Sequence, residues 1–242
     1  MSMLKGLSFF GLCLAFVVIA LGAWTRLVDA GLGCPDWPGC YGFVVFPTSE
    51  VDVLLAEQRY PQFPYEINKA IPEVVHRYVA AFLGLIAILL VVSAFKYKLP
   101  LRLKKLTSFL LFFICCQGFF GYLTVSLKLL PLIVTGHLFG GFITLSLFFY
   151  LYLSSTKKII SYQIGHLKLL AAIALIALIV QIFLGVWTST NYASLACLDF
   201  PTCHGSFLPE MDFSNGFNLF QEVGPNYLFG LLDNVARVAI HY

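Results

Sequence analysis

Charge is scarce in this sequence of 242 residues: Asp, Glu, Lys and Arg make up only 11% of it, whereas 60% is hydrophobic and 24 residues are Phe. That balance excludes an ordinary soluble globule and describes an all-α polytopic membrane protein. A sizeable aqueous domain is missing as well. Acidic residues are absent from long stretches, since all twelve lie between Asp29 and Glu73 or between Asp199 and Asp233. The net charge of +3 gives no sign of a nucleic-acid partner and hides this asymmetry. A cleavable signal is also lacking, because the first apolar run is too long and ends in Trp24-Thr25-Arg26 without a small-residue cleavage site. There is no Arg- and Ser-rich transit peptide, so a bacterial inner membrane is the simplest home.

What is present is five long apolar runs: 7–25, 74–95, 106–126, 132–153 and 167–188. Each is close to the roughly 20 residues that cross the hydrocarbon core of a bilayer as a helix. Lys5, Lys96, Lys98, Arg102, Lys104, Lys105, Lys157, Lys158 and Lys168 flank one side without acidic companions. The positive-inside rule puts that side, and the N-terminus, in the cytoplasm. The loops over 26–71 and 189–234 then face outward.

The second run is preceded by Pro72-Glu73-Val74-Val75-His76-Arg77, three ionisable side chains at one mouth of a span. Ionisable residues are costly inside a membrane and mark a functional site by default. The blander account has Arg77 snorkelling to the headgroups, Glu73 favouring the helix N-terminus and His76 serving as an interface residue. A second histidine weighs against it. His137 follows Pro131 in the fourth run, about 9 Å into its helix, against about 6 Å for His76 after Pro72, at 1.5 Å per residue. Both helices run inward, so the two imidazoles reach one level of the bundle. A lone histidine is more often a satisfied core residue, but two at one depth beside Gly140-Gly141 favour a shared ligand. With no carboxylate or thiolate at that level, the pair suits a heme iron better than zinc. In the third run Gln117, Gly118, Gly121 and Thr124 read as helix packing, with Gln117 a weaker cofactor contact. Cys13, Cys115 and Cys116 read as inert, and His166 as a solvated loop residue.

The first outward loop opens with Gly31-Leu32-Gly33-Cys34-Pro35-Asp36-Trp37-Pro38-Gly39-Cys40-Tyr41-Gly42, a tight turn on the oxidising side. Cys34 and Cys40 suit a structural staple or a redox pair equally; the absence of a nearby histidine in the loop counts against metal. The pattern returns at a constant offset of 163: Trp24 and Trp187, Cys34 and Cys197, Asp36 and Asp199, Pro38 and Pro201, Cys40 and Cys203, Gly42 and Gly205. The repeated loops share a side, so the repeats are parallel and their pseudo-two-fold axis runs along the membrane normal. The expected organisation is a complete four-helix unit over 1–155 and the beginning of a second over 156–242, in which Val235 to Tyr242 opens a sixth span that is cut short. His204 reads as loop polarity, and His241 stands at the outer mouth of that last helix.

Glu73-Val-Val-His76-Arg77, Thr135-Gly136-His137-Leu138 and the pairs Cys34/Cys40 and Cys197/Cys203 together resemble the heme A synthase family. The resemblance implies eight helices in two similar halves, so that this chain lacks the C-terminal helices. It implies oxidation of the C8 methyl of heme O to a formyl group by successive hydroxylations, giving heme A for terminal oxidases. His76 and His137 would hold the heme O iron, Glu73 would act as an acid/base or radical-steering group, and Arg77 and Gln117 would support them. Cys34–Cys40 would be the functional disulfide and Cys197–Cys203 the structural one. A heme b cofactor belongs to the second half, near His241, and its site is expected to be incomplete here. The implied partners are an electron-donor protein, heme O synthase and cytochrome oxidase assembly factors, with self-association compatible. Two other readings use the same residues: a heme carrier that does not transform its cargo, and a thiol oxidoreductase passing electrons from the cysteine loops to a quinone.

Overall fold

A computed structural model of the chain describes residues 2–156, 165 and 167–242. Among the described residues eight helices follow one another: α1 (Ser2–Leu27), α2 (Glu50–Arg59), α3 (Ile67–Lys96), α4 (Leu101–Ser126), α5 (Pro131–Ser154), α6 (Leu167–Thr190), α7 (Phe213–Gly216) and α8 (Asn234–His241). α1, α3, α4, α5 and α6 are each long and apolar enough to cross a membrane, and the protein is an all-α, multi-pass membrane protein. Lys157, Lys158 and His166 lie outside the described residues.

The described residues divide into two compact units, one of residues 2–126 and 137–156 and the other of residues 127–136, 165 and 167–242. In the first, the inner core is apolar side chains from four spans: Leu4 and Ala15 of α1, Leu83, Ile86 and Leu90 of α3, Leu103 and Leu110 of α4, and Phe148 and Leu151 of α5. α1 lies close against α5, since a Cβ on Gly11 would run into the Phe148 ring. The end that carries the first cysteine loop has its own small core, built from Cys34, Cys40, Tyr41 and Ala56 with Ala70 and Val74 of α3.

α3 begins at Ile67, earlier than the expected opening after Pro72, and Pro72 lies inside it. A proline there removes one backbone hydrogen bond near the helix start. The turn before it is held from outside. Gly33 sits so close to the α3 backbone at Lys69 and Ala70 that a side chain at 33 would collide with it, and Ala70 is fully buried. Glu73, His76 and Arg77 therefore lie in the second and third turns of α3, beneath the loop. α2, which carries no strong sequence signal, buries only Ala56 and is capped at Ser49, whose hydroxyl accepts from Asp52 N while Asp52 accepts from Ser49 N. α5 starts on Pro131, whose fixed φ suits the first helical position.

The second unit reproduces the first loop's local structure at the offset of 163. Trp37–Pro38 and Phe200–Pro201 are both cis. Tyr41 and His204 have φ of 55° and 52°, followed by Gly42 and Gly205 at 78° and 76°. Asp36 accepts from Tyr41 N at 2.6 Å and Gly42 N at 2.8 Å; Asp199 accepts from His204 N at 2.8 Å and Gly205 N at 2.9 Å. Left-handed backbone at two consecutive positions leaves two amides pointing one way, and the aspartate between the cysteines satisfies both. Trp187 is fully buried, and its indole donates to the Gly216 carbonyl at 2.9 Å. α8 is capped by Asp233, which accepts from Ala236 N at 2.8 Å and is worth about 1 kcal/mol.

Candidate functional site

Between the inner core and the outer loop core of the first unit lies a polar level formed by α1, α3, α4 and α5. His76 projects from α3 toward α1, where a Cβ on Gly22 would come within 3.0 Å of its Cε1. His137 projects from α5 toward α4, where a Cβ on Gly121 would lie 3.7 Å from its Cε1. Gln117, one turn from Gly121 on α4, packs its carboxamide against α5 at Gly140, so tightly that any side chain at 140 would overlap it. Glycines thus stand where three polar side chains need room. Gly118 faces open space and has no part in this packing.

Among the described residues, three buried side-chain polar atoms lack a hydrogen-bond partner: His76 Nδ1, His137 Nδ1 and Gln117 Oε1. Buried polar groups are almost always paired, and an unpaired one costs about 1–3 kcal/mol. Three orphans at one level are the unsatisfied polar atoms that a ligand would need to find there.

The roof of this level is the first cysteine loop, held down from α3. Glu73 Oε1 pairs with Arg77 Nη2 at 2.5 Å, and Glu73 Oε2 accepts from Cys34 N at 2.9 Å. Arg77 Nη1 donates to the Asp36 carbonyl at 2.9 Å and also to the carbonyl of Gly39. The side chains of Arg77 and Glu73 are only 13% and 7% exposed, so this is a buried pair whose remaining hydrogen-bonding capacity is spent on the loop backbone. Trp37 sets its ring edge-on to Tyr122, the residue after Gly121, at 5.9 Å between centroids. Cys34 and Cys40 are bonded, S–S 2.04 Å, and both are fully buried. Burial also pushes the Tyr41 hydroxyl, which donates to the Pro64 carbonyl at 3.0 Å, up to about 12.

The remaining candidates lie elsewhere. Cys197 and Cys203 are bonded at 2.03 Å in the second unit. His241 Nδ1 is 3.0 Å from the Ala193 carbonyl, and the exposed His204 ring is 3.5 Å from the Asn234 amide. Cys13, Cys115 and Cys116 are free. Among the described residues no three His, Cys, Asp or Glu side chains stand close enough to hold a bare metal ion. Two imidazoles do suit an iron that brings four pyrrole nitrogens with it. Gly22 and Tyr122 were not singled out by the residue pattern as site residues, although Gly22 lies in the repeated Leu21-Gly22-Ala23-Trp24-Thr25 segment.

Residues 5–241 match the family model COX15-CtaA, described as cytochrome oxidase assembly protein. The heme A synthase of Shewanella oneidensis is 42% identical over 233 residues, covering 95% of this chain and 70% of that protein. The heme A synthase of Rickettsia bellii is 32% identical over 225 residues, 81% of this chain and 66% of that protein. That of Halalkalibacterium halodurans is 25% identical over 226 residues, 89% of this chain and 69% of its own length. The chain thus spans about two thirds of the length of these relatives. No solved structure matches it.

Proposed function

The chain belongs to the COX15-CtaA family of cytochrome oxidase assembly proteins, and from that premise we propose that it is a heme A synthase, a membrane oxidoreductase that converts the C8 methyl of heme O to a formyl group. The reading is carried by one observation: two buried imidazoles, His76 and His137, stand against Gly22 and Gly121 at one polar level, each with a ring nitrogen that no protein group satisfies. His76 and His137 would hold the heme O iron. The successive hydroxylations require an oxygen source and an electron donor from outside this chain; here the protein's part is to bind, orient and exclude water.

Glu73 and Arg77 contribute chiefly by position. Both carboxylate oxygens are engaged, one by Arg77 and the other by the Cys34 amide. A proton-handling role for Glu73 starts from that clamped state. The Cys34–Cys40 disulfide belongs to the roof, and its burial speaks against exchange with soluble thiols, the central requirement of the thiol oxidoreductase reading.

For the heme b of the second half the fit is partial. His241 offers one imidazole, whose Nδ1 is turned to the Ala193 carbonyl so that Nε2 is left for a metal. A second helical imidazole is not found among the described residues of 167–242. Heme b, where bound, supplies one-electron redox chemistry. The working orientation would place the lysine-rich turns in the cytoplasm and the cysteine loops outside an inner membrane. Heme O synthase and oxidase assembly factors would stand before and after it.

The test is the mass of the pigment extracted from membranes holding this chain and a supply of heme O. Heme A or its hydroxylated intermediate, absent when His76 or His137 is replaced, supports the synthase. Unaltered heme O with the same histidine dependence leaves a carrier, and no heme at all removes the reading.

A further inference from the structure

The two histidines account for two of the three orphaned atoms at the polar level; Gln117 Oε1 is the third. With His76 and His137 to hold the iron, Gln117 is left to answer to another part of the ligand. Its position is informative. Along α4 it lies one turn from Gly121, and along α5 its neighbour Gly140 lies three residues beyond His137. Both steps lead away from the disulfide loop. The carboxamide therefore sits on the side of the histidine level that faces the bilayer interior.

We propose that Gln117 recognises the hydroxyl group at the root of the isoprenoid arm of heme O, and so lets the site choose heme O over heme b; the inference rests on the heme A synthase reading above. Heme O and heme b share their iron and their two propionates. They differ where heme b has a vinyl group and heme O carries a hydroxylated carbon bearing a long isoprenoid chain. The propionates are charged and belong at the loop end of the site, away from the apolar interior of the bundle. The isoprenoid arm leaves from the opposite edge of the macrocycle, which puts its root toward the bilayer interior and at the side where Gln117 lies. A hydroxyl both donates and accepts one hydrogen bond, and a carboxamide has a group for each role; a vinyl group offers neither. Gly140 on α5 gives the carboxamide the space that a side chain there would fill. A site that holds a buried polar group for a substrate hydroxyl discriminates strongly, because the analogue without it leaves that group unpaired.

The experiment is a titration of the full chain, purified in detergent and free of heme, with heme O and separately with heme b, followed by Soret absorption. Gln117→Met keeps the size and flexibility of the side chain without its amide; Gln117→Leu is the second variant. The expected result is that heme O binding weakens about tenfold in both, one hydrogen bond's worth, while heme b binding stays as in the wild type. An unchanged ratio of heme O to heme b affinity overturns the proposal, as does an equal loss for both hemes, which would make Gln117 a packing residue. If the wild-type chain binds neither heme, the synthase reading itself fails and takes this assignment with it. If it binds both and only the ratio test fails, the histidine site stands and Gln117 alone is wrongly assigned.

Discussion

The Cys34 backbone amide donates to Glu73 Oε2 at 2.9 Å across 39 positions of sequence, so one carboxylate joins the disulfide loop to the helix that carries His76. The other oxygen of that carboxylate holds Arg77, which in turn binds the loop carbonyls. Loop and helix therefore dock as one body through a buried ion pair. Breaking such a pair by removing one partner costs about 3–5 kcal/mol.

Arg77→Ala leaves Glu73 buried without its counter-ion and frees the loop carbonyls. Reduction of Cys34–Cys40 by a mild water-soluble thiol is expected to speed up by about tenfold or more, because the sealed disulfide becomes reachable through local opening. Cys197–Cys203, in the other unit, serves as the internal control. Counting alkylated cysteines by mass over time gives both rates. Equal rates in variant and wild type would mean that the apolar contacts of Ala70 and Val74 hold the loop without the clamp. Arg77→Lys keeps the charge but not the planar fork that serves the carboxylate and two carbonyls together, so it should fall between.

His76→Ala and His137→Ala should each convert a six-coordinate, low-spin heme spectrum to a high-spin one and weaken retention of heme O by about tenfold or more. The spectral change separates ligation from packing. A low-spin spectrum surviving in either variant would remove that residue from the ligand pair.

Gly140→Ala and Gly118→Ala form a matched test one helix apart. A methyl at 140 runs into the Gln117 carboxamide, whereas one at 118 meets nothing within 4 Å. The first is expected to destabilise by about 1–3 kcal/mol, and the second to be neutral or stabilising by up to about 1 kcal/mol, the helix propensity gained over glycine. Thermal unfolding followed by heme loss or tryptophan fluorescence measures both. A reversed order would place Gln117 away from α5.

Much of this was legible in the residues themselves, for physical reasons that differ from element to element. Spans declare themselves because a bilayer demands long apolar runs, and the cysteine loop because its offset of 163 repeats an Asp, a Pro and a Gly that each perform one backbone task. His76 and His137 stood out as ionisable side chains in apolar runs, although the depth counted for His76 assumed a helix that opens at Pro72. The start of α3 could not be read there, because Pro72 is tolerated only through tertiary support from Gly33 and the loop. Nor could the role of Arg77, which by composition alone suits lipid headgroups and in fact binds the Glu73 carboxylate and carbonyls of the cysteine loop. α2 stayed hidden because a short capped helix with mixed polarity leaves a weak periodic signal.

Asp199 supplies a pH test of the second loop. Its carboxylate accepts from the Thr202 hydroxyl and from the His204 and Gly205 amides, and these hydrogen bonds hold it down to about 2, from an ordinary value of 3.8. A carboxyl whose pKa is lower in the folded loop than in the unfolded one contributes stability above the unfolded value, and that contribution fades as pH falls through the folded one. The loop amides of His204 and Gly205 should therefore stay protected from hydrogen exchange down to about pH 4 and lose that protection progressively toward pH 2. Asp199→Asn keeps one acceptor but cannot titrate, so its protection should be weaker at neutral pH and flat across the same window. Because the carboxylate is exposed, salt should shrink the effect without moving its direction. A wild-type profile as flat as that of the asparagine variant would show that the Cys197–Cys203 bond and the backbone of the turn hold the loop without help from the aspartate.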